Sequence, residues 1–296
     1  MMFNGTNREY LLSSAEATFL VIFTSMQCVV GSIANAIALF FLWSKRYEYK
    51  TSSDKLMFNM ALADFVALTT YVPWRAYLLN LREVDTENTK YYTSLFVVCI
   101  FCTGNAVLLI AFERFVAVMF PMRCKMLITD NVILFSVATS WITAFLLGVG
   151  HGLSLKLKIH LEYELFLCAL SIGQLLVIFV IYTTIFRSAS KQAQKIFNQV
   201  KYYETTGRIH LYIWKRVLTT FCVVSLFYGT FIPYSVYRIV STVDESLSKR
   251  ERRITWRWII AFTFLNSTIN PFIYFIWLKR YRSGLKRLLR IKLYSI

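Results

Sequence analysis

Long charge-free blocks alternate with short polar connections along this chain. The blocks run 17–44, 91–112, 131–155, 165–186, 217–237 and 258–278. A seventh, 55–80, is interrupted near its middle by Asp64 and carries Arg75 near its far end. Each is close to the ~20 residues a helix needs to cross a bilayer. The longest connection, Arg187 to Arg216, is about 30 residues, below the ~50-residue floor for an independent domain. The pattern predicts one all-α membrane domain, a seven-helix bundle over 17–278, between an N-terminal segment 1–16 and a tail 279–296.

Composition agrees: 57% of residues are hydrophobic and 17% charged, where soluble domains sit near roughly 45–50% and 25%. The opening "MMFNGTNREY" is polar, and the first apolar block is too long for a signal-peptide core, so the first helix is expected to act as its own insertion signal. The net charge of +17 is placed asymmetrically. Connections on one side, including 187–216 and 279–292, carry about twice the lysine and arginine of the other side, which predicts that they are cytoplasmic and the N-terminus external. The basic "SKRERR", Ser248–Arg253, falls on the external side against this trend, while Asn4-Gly5-Thr6 is a glycosylation acceptor that fits it. None of the cysteine spacings (Cys28, Cys99, Cys102, Cys124, Cys168, Cys222) resembles a zinc site or a disulfide framework.

Ionisable residues and breaks inside the blocks are costly and so informative. Asp64 reads either as a carboxyl satisfied by neighbouring amides or protonated, or as a cation or proton site that changes with conformational state. Its candidate partners are Asn35, Thr103, Asn266, Ser267 and Asn270, hard oxygen donors suited to sodium. Of the prolines, Pro73, Pro233 and Pro271 interrupt apolar helices, each removing a backbone hydrogen bond. In "FYGTFIPY", Phe227–Tyr234, the proline joins Gly229 and several aromatics, as a hinge would, although a static bend reads the same. Asn270-Pro271 predicts a second kink with a freed carbonyl. Beyond it, basic and leucine-rich positions alternate from Leu278 to Arg290, predicting an amphipathic eighth helix on the inner membrane surface.

Taken in order, these marks resemble the rhodopsin-like G-protein-coupled receptors. Asn35 is similar to the family asparagine of helix one and "LADF", with Asp64, to its helix-two acid; "ERFVAVMFP" resembles D/E-R-Y and the loop proline after it. Trp141 matches the helix-four tryptophan, "FYGTFIPY" resembles F-x-x-C-W-x-P-Y, and "NPFIY" resembles N-P-x-x-Y. The resemblance implies that Glu113 holds Arg114 at rest and that activation opens the sixth helix to admit a G protein. Phe115, Tyr182, Phe227, Phe231, Pro233, Asn270, Pro271 and Tyr274 would take part in that switch. It further implies an allosteric sodium ion at Asp64, Thr103, Asn266, Ser267 and Asn270.

The same resemblance lines a ligand pocket with Trp74, Arg75, Phe96, Ile100, Phe166, Phe231, Tyr234, Arg238, Trp256, Ile260 and Phe264. Phe96 stands where amine receptors carry aspartate, which argues against a cationic amine. Arg75 and Arg238 suit an anionic ligand, a lipid, an organic acid or a peptide terminus; snorkelling to the outer headgroups is the other reading.

The chain departs from the pattern at Thr89 (the helix-three cysteine), Gln174 (the helix-five proline), Phe231 (the toggle tryptophan) and Thr230. The absent cysteine and proline resemble the branch of melanocortin, lysophospholipid, cannabinoid and adenosine receptors. Lys215 and Arg216 stand where an acid would lock Arg114, which implies raised basal activity. The tail offers Ser283 and Ser295 for phosphorylation, so tail-dependent arrestin capture is expected to be weak. Three other readings stay open: a transporter, which would need paired repeats that the chain does not show; a receptor-like scaffold without coupling; and a membrane enzyme. The last lacks a catalytic cluster in sequence, since His151, His160 and His210 are dispersed.

Overall fold

A computed structural model of the protein describes residues 13–44, 51–81, 87–199, 204–243 and 248–277. These form helices α1 (Ser14–Trp43), α2 (Ser52–Leu81), α3 (Glu87–Met119), the short α4 (Cys124–Leu127), α5 (Asp130–Leu157), α6 (His160–Gln199), α7 (Glu204–Val243), α8 (Lys249–Thr263) and α9 (Leu265–Trp277). Among the described residues, Ser14–Trp43, Ser52–Asn80, Tyr92–Met119, Asp130–Leu157 and His160–Ser188 are long and apolar enough to cross a membrane. The sixth apolar block lies on α7, and the seventh is divided between α8 and α9 at Phe264. The expected eighth helix, Asn4 and the tail serines lie outside the described residues.

Helix starts follow local capping chemistry. Ser13 and Glu16 close a capping box on α1, and Ser248 and Glu251 close another on α8, each satisfying otherwise orphaned amide groups. The acid-bearing "SKRERR" is thus a helix start rather than a loop.

Burial is inverted relative to a water-soluble protein. Asn35, Asp64 and Asn270 are 0% exposed, whereas Phe135 is 74% exposed. Only a hydrocarbon surround makes that distribution favourable, since polar groups then find partners only in the interior. On α1 the buried residues Ala17, Leu20, Thr24, Gln27, Gly31, Asn35 and Ala38 recur at helical spacing on one face. Helix α3 packs on α2, α5, α6 and α7 and is the central post of the bundle. At Gly148 on α5, a β-carbon would overlap Val98 Cγ2 and lie 2.9 Å from the Ser94 carbonyl of α3. Any side chain there would force the two helices apart, the close approach that small residues permit in membranes.

The connection between α5 and α6 is two residues long. Lys158 turns left-handed (φ 60°), and the Ile159 amide donates to the Ser154 carbonyl at 3.1 Å. A link this short makes α5 and α6 antiparallel neighbours and leaves no loop to fold over the end of the bundle.

The seventh apolar block has a helix boundary at Phe264, about two turns before Pro271, and α9 continues through Asn270-Pro271. The reason is side-chain compensation. Pro271 cannot donate to the carbonyl four residues back, that of Ser267. Asn35 Nδ2 donates to that carbonyl at 2.9 Å, so the helix runs through the proline.

Candidate functional site

A cavity of about 520 Å³ opens at the end of the bundle where α5 meets α6. Of the residues expected to line a ligand pocket, Trp74, Arg75, Arg238 and Trp256 do so. Arg75 is 6% exposed, and its Nε and Nη2 make no hydrogen bond. It is thus turned inward beside the cavity, and among the described residues no carboxylate pairs with its guanidinium.

Arg238 is different. Its Nε donates to Glu164 Oε2 at 3.1 Å, its Nη2 pairs with Oε1, and its guanidinium lies 5.1 Å from the Trp256 ring centre. Of the two guanidiniums expected to suit an anion, that of Arg238 is thus already paired with Glu164. Glu164 stands immediately before the block 165–186, so a search for charges within blocks passes it by.

Phe96, Ile100, Phe231, Tyr234, Ile260 and Phe264 are buried beneath the cavity and pack on one another. Phe96 is the hub, with ring centres at 5.1 Å to Tyr234, 5.5 Å to Tyr71 and 5.8 Å to Phe264. Along α7, Tyr234 stacks on Phe231 (5.2 Å) and Phe231 on Phe227 (5.6 Å), a ladder of rings on one helix face. Phe166 is a correction: it is 48% exposed on the outside of α6 beside Tyr163, because its helical position turns it away from the bundle.

The histidines are not all dispersed. His151 Nε2 lies 3.2 Å and His160 Nε2 3.6 Å from Glu164 Oε1, and the two rings meet edge-on at 5.2 Å. Ser94 Oγ lies 3.0 Å from His151 Nδ1. The spacing His160–Glu164, one helical turn, was the sequence signal; His151 joins them only because the two-residue turn folds α5 back along α6. The side chain of His210 lies outside the described residues.

In the middle of the bundle Asp64 accepts hydrogen bonds from Thr103 Oγ1 (3.2 Å), Ser267 Oγ (2.7 Å) and Asn270 Nδ2 (2.8 Å). Asn35 reaches this group through the Ser267 carbonyl. Asn266 is buried at the same depth, and its Oδ1 and that of Asn270 accept no hydrogen bond. The acceptor atoms gathered here are all oxygen, which fits a small hard cation such as sodium.

At the opposite end, Arg114 Nε stands 3.3 Å from Glu113 Oε2, with both side chains under a tenth exposed. Ser53 Oγ donates to Glu113 Oε1 at 2.9 Å, so a neighbouring helix steadies the acid. Phe115 packs between Phe112 and Phe120, and Tyr182 between Phe186 and Phe221. Trp141 Nε1 donates to Asn59 Oδ1 at 2.8 Å, tying α5 to α2. Gln174, where the resemblance implies proline, donates to Asn105 Oδ1 at 3.2 Å, and Asn105 donates to the Ser140 carbonyl, linking α6, α3 and α5. The side chains of Tyr274, Lys215 and Arg216 lie outside the described residues.

Comparison with known proteins places this geometry. Residues 34–171 and 154–274 match the family described as 7 transmembrane receptor (rhodopsin family). The chain is 23% identical to the histamine H2 receptor of Canis lupus familiaris, over 99% of this chain and 85% of that protein. It is 22% identical to G-protein coupled receptor 15 of Mus musculus, over 93% and 80%, and 20% identical to adenosine receptor A2b of Gallus gallus, over 89% and 85%. These relatives are receptors and not enzymes. The matched span covers the polar core and the Glu113–Arg114 pair alike, and the chain belongs to the rhodopsin family of seven-transmembrane receptors.

Proposed function

We propose that this protein is a plasma-membrane receptor, N-terminus outside, that binds an anionic ligand in the cavity and activates heterotrimeric G proteins at the opposite face. The observation that carries the ligand class is Arg75, a buried guanidinium with unmatched donors on the cavity wall. A carboxylate or phosphate would accept two of its N–H bonds in parallel, the pairing that guanidinium geometry favours. Histamine is the ligand in some relatives' names, but an amine finds little here. Among the described lining residues Glu164 is the one acid and already faces Arg238, while Arg252 adds further positive charge.

The ring ladder supports a route for the signal. A ligand pressing on the Phe96–Tyr234 contact would shift α7 through the stacked Phe231 and Phe227 and bend it near Pro233. The inner half of α7 would then move away from Arg114, leaving Glu113 and exposing the docking surface for a G protein. A sodium ion at Asp64 would favour the resting arrangement, and a basic eighth helix would lie on the inner lipid surface. Glycosylation at Asn4 would follow from an external N-terminus.

The test is G-protein heterotrimer dissociation in cells, across the main Gα classes, at matched surface expression. Basal dissociation that Arg114→Ala changes, and responses to organic or lipid anions that Arg75→Gln abolishes, are the expected results. Silence of both proteins under an anion panel would favour a receptor-like scaffold without coupling. Responses unaltered by Arg75→Gln would refute the ligand assignment.

A further inference from the structure

We propose that His151, His160 and Glu164 form a binding site for a divalent transition-metal ion, zinc by its chemistry, at the mouth of the outer cavity. The inference stands on these three side chains and does not require the anionic-ligand reading. Zinc bonds of ~2.0–2.1 Å to nitrogen and oxygen in a tetrahedron set neighbouring donor atoms about 3.3 Å apart. The observed separations from Glu164 Oε1 are 3.2 Å to His151 Nε2 and 3.6 Å to His160 Nε2, and all three donor atoms lie within 4.8 Å of one another. Two edges of a coordination tetrahedron thus already exist.

The surroundings suit the same ion. Two imidazoles and one carboxylate favour a borderline ion such as zinc and disfavour calcium or magnesium, which take oxygen. Ser94 Oγ lies 3.0 Å from His151 Nδ1, while His151 Nε2 faces the Glu164 carboxylate; a metal replacing the proton between them would shift that proton to Nδ1, where Ser94 Oγ can accept it, the outer-shell arrangement typical of metal-bound histidine. Arg238 Nε at 3.1 Å supports Oε2, the carboxylate oxygen that the metal would leave alone. His151 is 1% exposed and Glu164 4%, so those two ligands are held rigidly. The His160 side chain is 40% exposed and gives an entry path.

Binding would have two consequences. The metal would displace Arg238 Nη2 from Glu164 Oε1. It would also leave an excess of positive charge beside a fourth coordination position, calling for an anionic donor such as chloride or a ligand carboxylate.

The experiment uses the purified full-length receptor in lipid nanodiscs and zinc alone, titrated against a chromophoric chelator. Stoichiometric binding is expected, lost by at least about 100-fold in His160→Ala, and weakened about 10–100-fold in Ser94→Ala, which removes an outer-shell partner. His160 is partly exposed, so its variant should fold; a matching melting profile without zinc verifies this. Cobalt in place of zinc should give the intense visible absorption of a four-coordinate site. Unchanged zinc affinity in His160→Ala, loss in His210→Ala instead, or the weak bands of six-coordinate cobalt would overturn the proposal.

Discussion

The carbonyl that Pro271 frees provides a test of how this bundle tolerates its proline. Asn35 Nδ2 donates to the Ser267 carbonyl and to that of Gly31, each at 2.9 Å. Asn35→Ala leaves the Ser267 carbonyl without a donor in a fully buried position, which costs about 1–3 kcal/mol. Two effects reduce this. Asn35 Oδ1 itself accepts no bond, so its removal relieves an existing penalty, and side-chain hydrogen bonds in membranes average only about 0.6 kcal/mol. A net loss near 1 kcal/mol, roughly 2–4 °C in melting temperature, follows. In a Pro271→Ala background, however, the new backbone N–H of residue 271 takes the Ser267 carbonyl, and Asn35→Ala should then cost almost nothing. The double-mutant cycle therefore predicts a coupling of about 1 kcal/mol, read as thermal melting of the four purified proteins at one fixed scan rate. Equal losses in both backgrounds would show that Asn35 does not act through the proline's vacant hydrogen bond, and the reasoning would fail.

Three further outcomes are expected. Glu113→Gln removes the charge facing Arg114 but keeps an acceptor for Ser53. The 3.3 Å contact lacks hydrogen-bond alignment, so the resting state should lose about 1–2 kcal/mol and not the roughly 3–5 kcal/mol of a well-made buried pair. Basal G-protein dissociation should rise about ten-fold, and an unchanged basal signal would count against the latch. A β-carbon added at Gly229 would meet nothing within 4 Å, so Gly229→Ala should fit freely and stabilise α7 by about 1 kcal/mol. Lower basal signalling in that variant marks Gly229 as a hinge; higher stability with unchanged signalling marks it as incidental. Burial pushes the Cys124 thiol up, and the nearby Glu113 carboxylate adds to this. Its thiolate fraction at neutral pH is therefore below that of a free thiol, so maleimide labelling of Cys124 should be slow and should accelerate as pH rises above the usual thiol range. Labelling at the rate of an unhindered cysteine at neutral pH would contradict this.

How much of this was legible in the sequence depended on the range of the forces involved. The apolar blocks and the intramembrane acid follow from length and polarity alone, because a bilayer forces each crossing to satisfy its own backbone. Asp64 was readable as a group needing partners, and Thr103, Ser267 and Asn270 were readable as candidates, since few polar residues share those depths. The tertiary structure decided what depends on side chains meeting across helices. Glu164 pairs with Arg238 over 74 positions of sequence, while Arg75 on the same cavity keeps two nitrogens without a hydrogen bond. The left-handed turn at Lys158 brings His151 against His160 and Glu164. Asn35 on α1 donates to the Ser267 carbonyl that Pro271 cannot reach. Each is a pairing of groups that carry no mutual signal along the chain, because the physical reason for it, the cost of a buried charge or an unmet hydrogen bond, arises only once the helices have packed.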